Sequence, residues 1–342
     1  MTASGTAGET RGISVVMPVY NGVDFIGLSL PPLIAMLQRD EIAEVLVVDD
    51  GSTDNTVQMA QKLGARVLDS GGRLGPGGAR NRAAEQALGD ILWFVDADVV
   101  VHDDAALAIR ASFDDEGVVA VFGSYDDRPP GQNFFSQYKN LVHHYYHQRA
   151  KEEASTFWSG CGAVRKDAFQ AVGGFDIERY RYPSIEDIEL GNRLIGAGGR
   201  IRMNRAVQCT HLKIWRLWNL LHTEIFRRAI PWSRLILTDS NVPDDLNTSK
   251  AEQMRAGLAG LFFLSVFVAA LQIFPFYIPL AVAALVVVLN RELLRLFYAR
   301  KGLLFALGGL LFHQVYYVYS ATAFVAVALE VGLRKLTGNV NS

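Results

Sequence analysis

The chain has 342 residues, half of them hydrophobic and 20% charged, with a formal net charge of −2, so it can bury a large core and has room for more than one module. Its two cysteines, Cys161 and Cys209, exclude a disulfide framework and have no metal-site spacing. The apolar residues are unevenly spread: positions 1–250 read as an ordinary soluble protein, whereas 256–289 and 302–329 carry almost no charge and are membrane-like. The first nine residues are small and polar, without the layout of a secretory signal, which predicts a disordered lead and a cytosolic N-terminal domain.

Residues 13–17 are rich in β-branched side chains and end at Pro18, which cannot donate to a ladder, so they read as a buried parallel strand. Pro18-Val19-Tyr20-Asn21-Gly22 is the loop after it. A helical pattern covers 24–38, with Pro31 and Pro32 expected to kink or interrupt it. Residues 45–48 give a second strand ending on Asp49-Asp50-Gly51-Ser52, and Ser52 or Thr53 would cap a helix running to about residue 63. Residues 66–68 are a third strand, and the glycine-rich stretch 71–78 leads into a helix over 79–88. The fourth strand, 91–95, stops on Asp96-Ala97-Asp98. This alternation predicts an α/β domain with a mostly parallel, Rossmann-like sheet whose ligands lie beyond the carboxyl ends of its strands.

The polar clusters fall at that rim. Asp49, Asp50, Asp96 and Asp98 would converge there, and two carboxylates one residue apart at a strand end suit a divalent cation set against phosphate oxygens. Gly75-x-Gly77 is followed at the sixth position by Arg80, so it lacks the last glycine of a dinucleotide fingerprint, which excludes a Rossmann oxidoreductase. Arg80 and Asn81, near a helix N-terminus, are instead placed to meet a diphosphate. His143, His144 and His147 sit at helical spacing among Tyr138, Tyr145 and Tyr146, with no carboxylate or cysteine, and read as a packed helix face. Ser184 and Asp187 have the spacing of a capping box at the start of a helix reaching about residue 195.

Taken together, Val16-Met17-Pro18-Val19-Tyr20-Asn21, Val47-Val48-Asp49-Asp50-Gly51-Ser52-Thr53-Asp54, Gly78-Ala79-Arg80-Asn81 and Phe94-Val95-Asp96-Ala97-Asp98 resemble the family 2 glycosyltransferases, which have the GT-A fold. Ser159-Gly160-Cys161-Gly162, Gly173-Gly174-Phe175-Asp176 and Glu186-Asp187-Ile188-Glu189-Leu190 continue the pattern in the family's order, over roughly residues 12–205. The resemblance implies an inverting transfer from a nucleoside-diphosphate sugar, UDP- or GDP-linked. It implies that Pro18, Val19, Tyr20, Asp50 and Ser52 hold the nucleoside, with Arg80, Asn81 and Asp96 towards the diphosphate. Asp98, with Asp96, would meet Mg²⁺ or Mn²⁺, and His211 would be a further ligand. Asp187 takes the general-base role in that scheme. Trp158, Gly160, Cys161 and Glu186 would line the acceptor side.

From Arg200 to Arg234 there are eight basic residues against one acid, Glu224, and no nucleic-acid reader motif accompanies them, so anionic lipid or a phosphorylated ligand is the expected partner. Ile214, Leu217, Trp218, Leu221 and Ile225 recur at helical spacing beside Arg216, His222 and Arg227, predicting an amphipathic interfacial helix. The stretch 224–232 is only loosely similar to the signature of processive relatives, because Pro231 interrupts it, but Arg228 and Trp232 could close the acceptor side. Residues 256–289 as one helix would be about 51 Å long against a hydrocarbon core of about 30 Å, so a break near Pro275 to Pro279 is expected. Basic residues on both flanks place both ends in the cytosol, while Arg334 and Lys335 leave the last segment's topology open.

The expected organisation is therefore a lead at 1–11, a GT-A catalytic domain at 12–210, interfacial helices at 211–250, transmembrane helices at 251–336 and a tail at 337–342. The expected activity is sugar transfer to a hydroxyl of a lipid or lipid-linked glycan at the cytosolic face of a multi-pass cell-membrane protein. A polyprenyl-phosphate sugar synthase, a processive polysaccharide synthase and a catalytically silent membrane scaffold are the alternatives.

Overall fold

The structure is a computed structural model describing residues 12–238 and 249–336. The expected lead, the tail and residues 239–248 of the interfacial segment lie outside the described residues. The chain divides into two compact units, Met1–Ser124 with Glu152–Leu212, and Tyr125–Lys151 with Lys213–Ser342. Residues 125–151 thus group with the C-terminal helices, where the sequence reading kept 12–210 together.

The first unit is built on a mixed sheet of nine strands: β1 (Ile13–Val19), β2 (Glu44–Asp49), β3 (Arg66–Asp69), β4 (Ile91–Val95), β5 (Val99–Val101), β6 (Val118–Tyr125), β7 (Glu153–Ala154), β8 (Cys161–Arg165) and β9 (Arg200–His211). Their order is β3-β2-β1-β4-β8-β6-β9-β5, with β7 on β9. The expected parallel pairing holds across β3-β2-β1-β4. Beyond β4 it gives way to antiparallel pairs, β4 with β8, β8 with β6, and β9 with β5 and β7. The central strands are apolar on both faces, as sandwiched strands must be: every residue of β1 and β4 is buried. Trp93, Phe94, Phe122 and Phe157 are the largest fully buried side chains of this unit, each contributing about 1.5–3 kcal/mol by burial.

Two local expectations about proline are corrected. β1 runs through Pro18 to Val19, because its pairing with β4 stops at Val16 and the strand is an edge on that side from there. Helix Val23–Gln38 also continues across Pro31 and Pro32. The carbonyls that lose their donors belong to Gly27 and Leu28, both exposed and open to water.

In the second unit, helix Phe134–Arg149 packs Tyr138, Leu141, Val142 and Tyr145 against Trp215, Leu220, Leu293, Phe297 and Ala306. The histidines join ring packing and backbone contacts: His143 lies 4.4 Å from the Tyr125 ring centroid and 3.9 Å from that of His147, and His144 Nδ1 lies 2.7 Å from the Tyr125 carbonyl. The interfacial segment is a succession of short helices, Leu217–His222, a π-helical turn Thr223–Ala229 and Ile230–Thr238. Leu220, Glu224, Ser233 and Leu235 of these helices are buried, as is Trp215 just before them, while Ile214 and Trp218 of the predicted stripe are exposed.

Helices Lys250–Ala270 and Tyr277–Leu289 flank the predicted break, and Arg291–Leu336 is interrupted at Gly302, whose φ of 80° is left-handed. Two helices, Lys250–Ala270 and Arg291–Leu336, are long and apolar enough to cross a membrane by length and composition. At ~1.5 Å per residue the first spans about 31 Å and Tyr277–Leu289 only about 20 Å. Leu261, Leu264, Phe267, Leu304, Leu311 and Leu329 expose large apolar side chains. Inside this unit Glu252 is buried and accepts from Tyr146 Oη at 2.9 Å and Tyr317 Oη at 2.5 Å, with Arg255 as its ion-pair partner.

Candidate active site

The parallel register brings the carboxyl ends of β1, β2 and β4 to one rim of the first unit. Two loops there are stitched together: Asn21 N–H donates to Ser52 Oγ at 2.9 Å, and Thr53 N–H donates to Asn21 Oδ1 at 2.8 Å. Asn21 holds a left-handed φ of 50°, a conformation asparagine tolerates. Tyr20 stands exposed beside them with the Arg73 guanidinium 3.8 Å from its ring centroid.

Asp50 is buried and organises the glycine-rich loop. It accepts from Ser70 Oγ at 3.0 Å, from Leu74 N–H at 2.8 Å and from Gly75 N–H at 2.9 Å. Gly75 has a φ of 78°, and a Cβ there would lie 2.4 Å from the Arg181 carbonyl oxygen, so only glycine fits. Asn81 acts as a brace rather than at the rim: its amide donates to the Phe175 carbonyl and accepts from the Phe175 N–H, both at 2.8 Å. Arg80, beside it in sequence, is 2% exposed and lies against Asp96.

Strand β4 ends where Asp96 N–H donates to the Gly160 carbonyl at 3.1 Å, and Val99 N–H closes a turn on the Asp96 carbonyl at 3.0 Å. That turn presents Asp98. β5 then pairs Val99 with His211 on β9, and Leu212 N–H donates to the Asp98 carbonyl at 2.8 Å. This pairing brings His211 Nε2 to 3.4 Å from Asp98 Oδ2, so two residues 113 positions apart meet as candidate ligands. Among the described residues no group of three or more His, Cys, Asp or Glu side chains forms a metal cage. A carboxylate and an imidazole suit a cation that arrives with a diphosphate, since such ions are held through few protein side chains.

The acid opposite is Asp187. It opens helix Glu186–Gly196, whose N-cap residue Ile185 gives no side-chain cap. Ser184 N–H donates to Glu186 Oε2 at 2.7 Å, and Asp187 Oδ2 accepts from Ser159 N–H at 3.1 Å and Ser159 Oγ at 3.4 Å. Ser159 precedes β8, so β4, β8 and this helix start are tied in series. Between the two acidic ends lies Arg80, with Nη2 2.5 Å from Asp96 Oδ1 and Nη1 3.9 Å from Glu186 Oε1. Burial pushes the Asp96 carboxyl up, Arg80 opposes that, and Asp98 and Asp187 add to it, with His211 opposing. Burial likewise raises Glu186 to about 7, with Asp187 adding and Arg80 opposing.

Trp158 is half-buried against Gly160, where a Cβ would meet its indole at 2.6 Å. Cys161 is fully buried in β8, paired with Val95, and so is removed from the expected acceptor side. Glu186, also 94% covered, sits with Arg80 instead of facing an acceptor. Arg228 and Trp232 belong to the second unit, where Arg228 pairs with Glu224 at 3.7 Å. Sequence reasoning missed Ser159 and Ser70. Ser159 stood in a quoted block, but its partner lies 28 positions away in sequence.

The profile of glycosyl transferase family 2 matches residues 14–173, and that of the N-terminal domain of galactosyltransferase matches 139–214. Over 104 residues the chain is 35% identical to a poly(ribitol-phosphate) beta-glucosyltransferase of Bacillus spizizenii, covering 28% of this chain and 16% of that protein. It is 25% identical over 236 residues to the poly-beta-1,6-N-acetyl-D-glucosamine synthase of Staphylococcus aureus, covering 66% of this chain and 55% of the relative. The chain thus spans less than two thirds of the length of these curated relatives. The mannosyltransferase PcManGT of Pyrobaculum calidifontis, solved with GDP-Man and Mn²⁺, shares the fold with a TM-score of 0.64 at 19% identity, over 93% of this chain and 88% of that one.

Proposed function

This chain belongs to glycosyl transferase family 2 through residues 14–173, and from that premise we propose that it is an inverting glycosyltransferase using a nucleoside-diphosphate sugar. One observation carries the reading: the end of β4 is tied to Arg80 through Asp96 (2.5 Å) and to His211 through Asp98 (3.4 Å), and β8 beside it is tied to Asp187 through Ser159 (3.1 Å), which supports a single site for the acids of separate segments. The nucleoside rests on the rim formed by Pro18 to Tyr20 and Ser52, and Asp50 supports it by fixing the glycine-rich loop. Asp98 and His211 would hold Mg²⁺ or Mn²⁺; Mn²⁺ is the ion found with GDP-Man in the mannosyltransferase of the same fold. When bound, that ion neutralises charge on the departing diphosphate. Asp187 takes the proton of the acceptor hydroxyl as it attacks the anomeric carbon from the opposite face, and Ser159 aims the carboxylate.

The acceptor is a lipid or lipid-linked glycan at the cytosolic membrane face. Supporting this are the two helices of spanning length, their exposed apolar side chains and the basic residues ahead of them. Trp158 lines the acceptor side. The test is to incubate membranes containing the full chain with labelled UDP- and GDP-sugars and Mn²⁺. Label from one sugar nucleotide entering the lipid fraction supports the reading. Absence of transfer from every donor sinks it.

A further inference from the structure

We propose that Arg80 is a positioning residue that couples the donor end of the site to the base, by sharing its guanidinium between Asp96 and Glu186; this rests on the glycosyltransferase reading above. A group 2% exposed is too deep to clamp a diphosphate at the rim, so its charge serves the acids around it. Nη2 donates to Asp96 Oδ1 at 2.5 Å, whereas Nη1 stops 3.9 Å from Glu186 Oε1. Nη1 and Nε have no hydrogen-bond partner although both are buried. The rings of Phe94 and Phe175, with centroids 5.9 and 5.4 Å from Cζ, hold the guanidinium in place.

A buried guanidinium with two unsatisfied N–H groups beside a carboxylate is an incomplete pair, and a movement of about 1 Å would complete it with a charge-assisted hydrogen bond. Glu186 is the first residue of helix Glu186–Gly196 and Asp187 the second. Closing the Arg80–Glu186 gap therefore draws the base towards the strand end that carries Asp96 and Asp98. A hydroxyl of the donor that hydrogen-bonds to Asp96 from the open side competes with Nη2 for the same carboxylate, which frees the guanidinium to turn to Glu186. Filling the donor site thus sets the base.

The experiment is a double-mutant cycle on the full chain with Arg80→Lys, Glu186→Gln and the double variant. It measures kcat with the sugar nucleotide that the wild type turns over, and titrates UDP and GDP with Mn²⁺ for affinity. Lysine keeps the charge but cannot serve two carboxylates in a fork. We expect kcat to fall about 30-fold in Arg80→Lys and about 10-fold in Glu186→Gln, with nucleotide affinity within about 3-fold of wild type. The double variant should be no worse than about 30-fold, because both substitutions remove one contact. Losses that multiply to about 300-fold, or nucleotide affinity falling in step with kcat, overturn the coupling. If Arg80→Lys does not fold, Glu186→Gln decides alone: an unchanged kcat overturns the proposal and a kcat loss at constant affinity supports it. A wild type without turnover on any nucleotide sugar overturns the glycosyltransferase reading itself, and the coupling with it.

Discussion

Glu186→Gln should make the fold less sensitive to pH. The Glu186 carboxyl is raised from 4.5 to about 7, by burial first and then by Asp187, with Arg80 opposing. A carboxyl raised on folding stabilises the protein fully below its unfolded value, and that contribution is lost as pH rises through the folded value. The window therefore runs from 4.5 to about 7. At ~1.36 kcal/mol per pH unit this amounts to about 3 kcal/mol. The side chain is only 8% exposed, so solvent screening removes little of this. Glutamine cannot titrate, and subtracting the wild-type curve from the variant's isolates the effect. In thermal unfolding with chelator present, the variant should gain about 6–12 °C on the wild type between acidic and mildly alkaline buffer, at ~2–4 °C per kcal/mol for a domain of this size. A difference that is flat with pH, or that runs the other way, refutes the account of Glu186 as a carboxyl buried under strain.

Two further outcomes separate bracing from ligand contacts. Asn81→Ala removes both hydrogen bonds to the Phe175 backbone and should cost about 1–3 kcal/mol in thermal or denaturant unfolding, with nucleoside-diphosphate affinity unchanged in the folded fraction. His211→Ala should weaken Mn²⁺-dependent nucleotide binding by about 10–100-fold in calorimetric titration, while metal-free binding stays as it was.

The legible parts of the chain were those where chemistry and neighbours lie close in sequence. Strand-like runs marked the four parallel strands, and two of them, β2 and β4, end on the acids gathered at the rim. The antiparallel half was less readable, because β5 and β7 have three and two residues and no periodicity to detect. The site residues divide in the same way. Asp96 and Asp98 follow directly from the end of β4, whereas the meeting of Asp98 with His211 depends on β5 pairing with β9 and entered only through resemblance. Arg80 and Asn81 were assigned to the rim because a helix N-terminus attracts anions. Phe175, 94 positions from Asn81, instead captures the asparagine and covers the arginine, and no local pattern announces such a contact. The capping-box spacing of Ser184 and Asp187 is a local signal, whereas the hydrogen bonds from Ser159 to Asp187 are tertiary and left no mark in the local pattern.

The central claim is that Asp187 takes a proton from the acceptor while the rest of the site holds the donor. Asp187→Asn keeps the size of the side chain and its ability to accept from Ser159, but removes its basicity. Measured on the same full-length preparation, sugar transfer should fall at least ~100-fold while Mn²⁺-dependent affinity for the nucleoside diphosphate is retained. Near-normal transfer by Asp187→Asn would contradict the account and point to an acceptor that needs no base, such as a lipid phosphate.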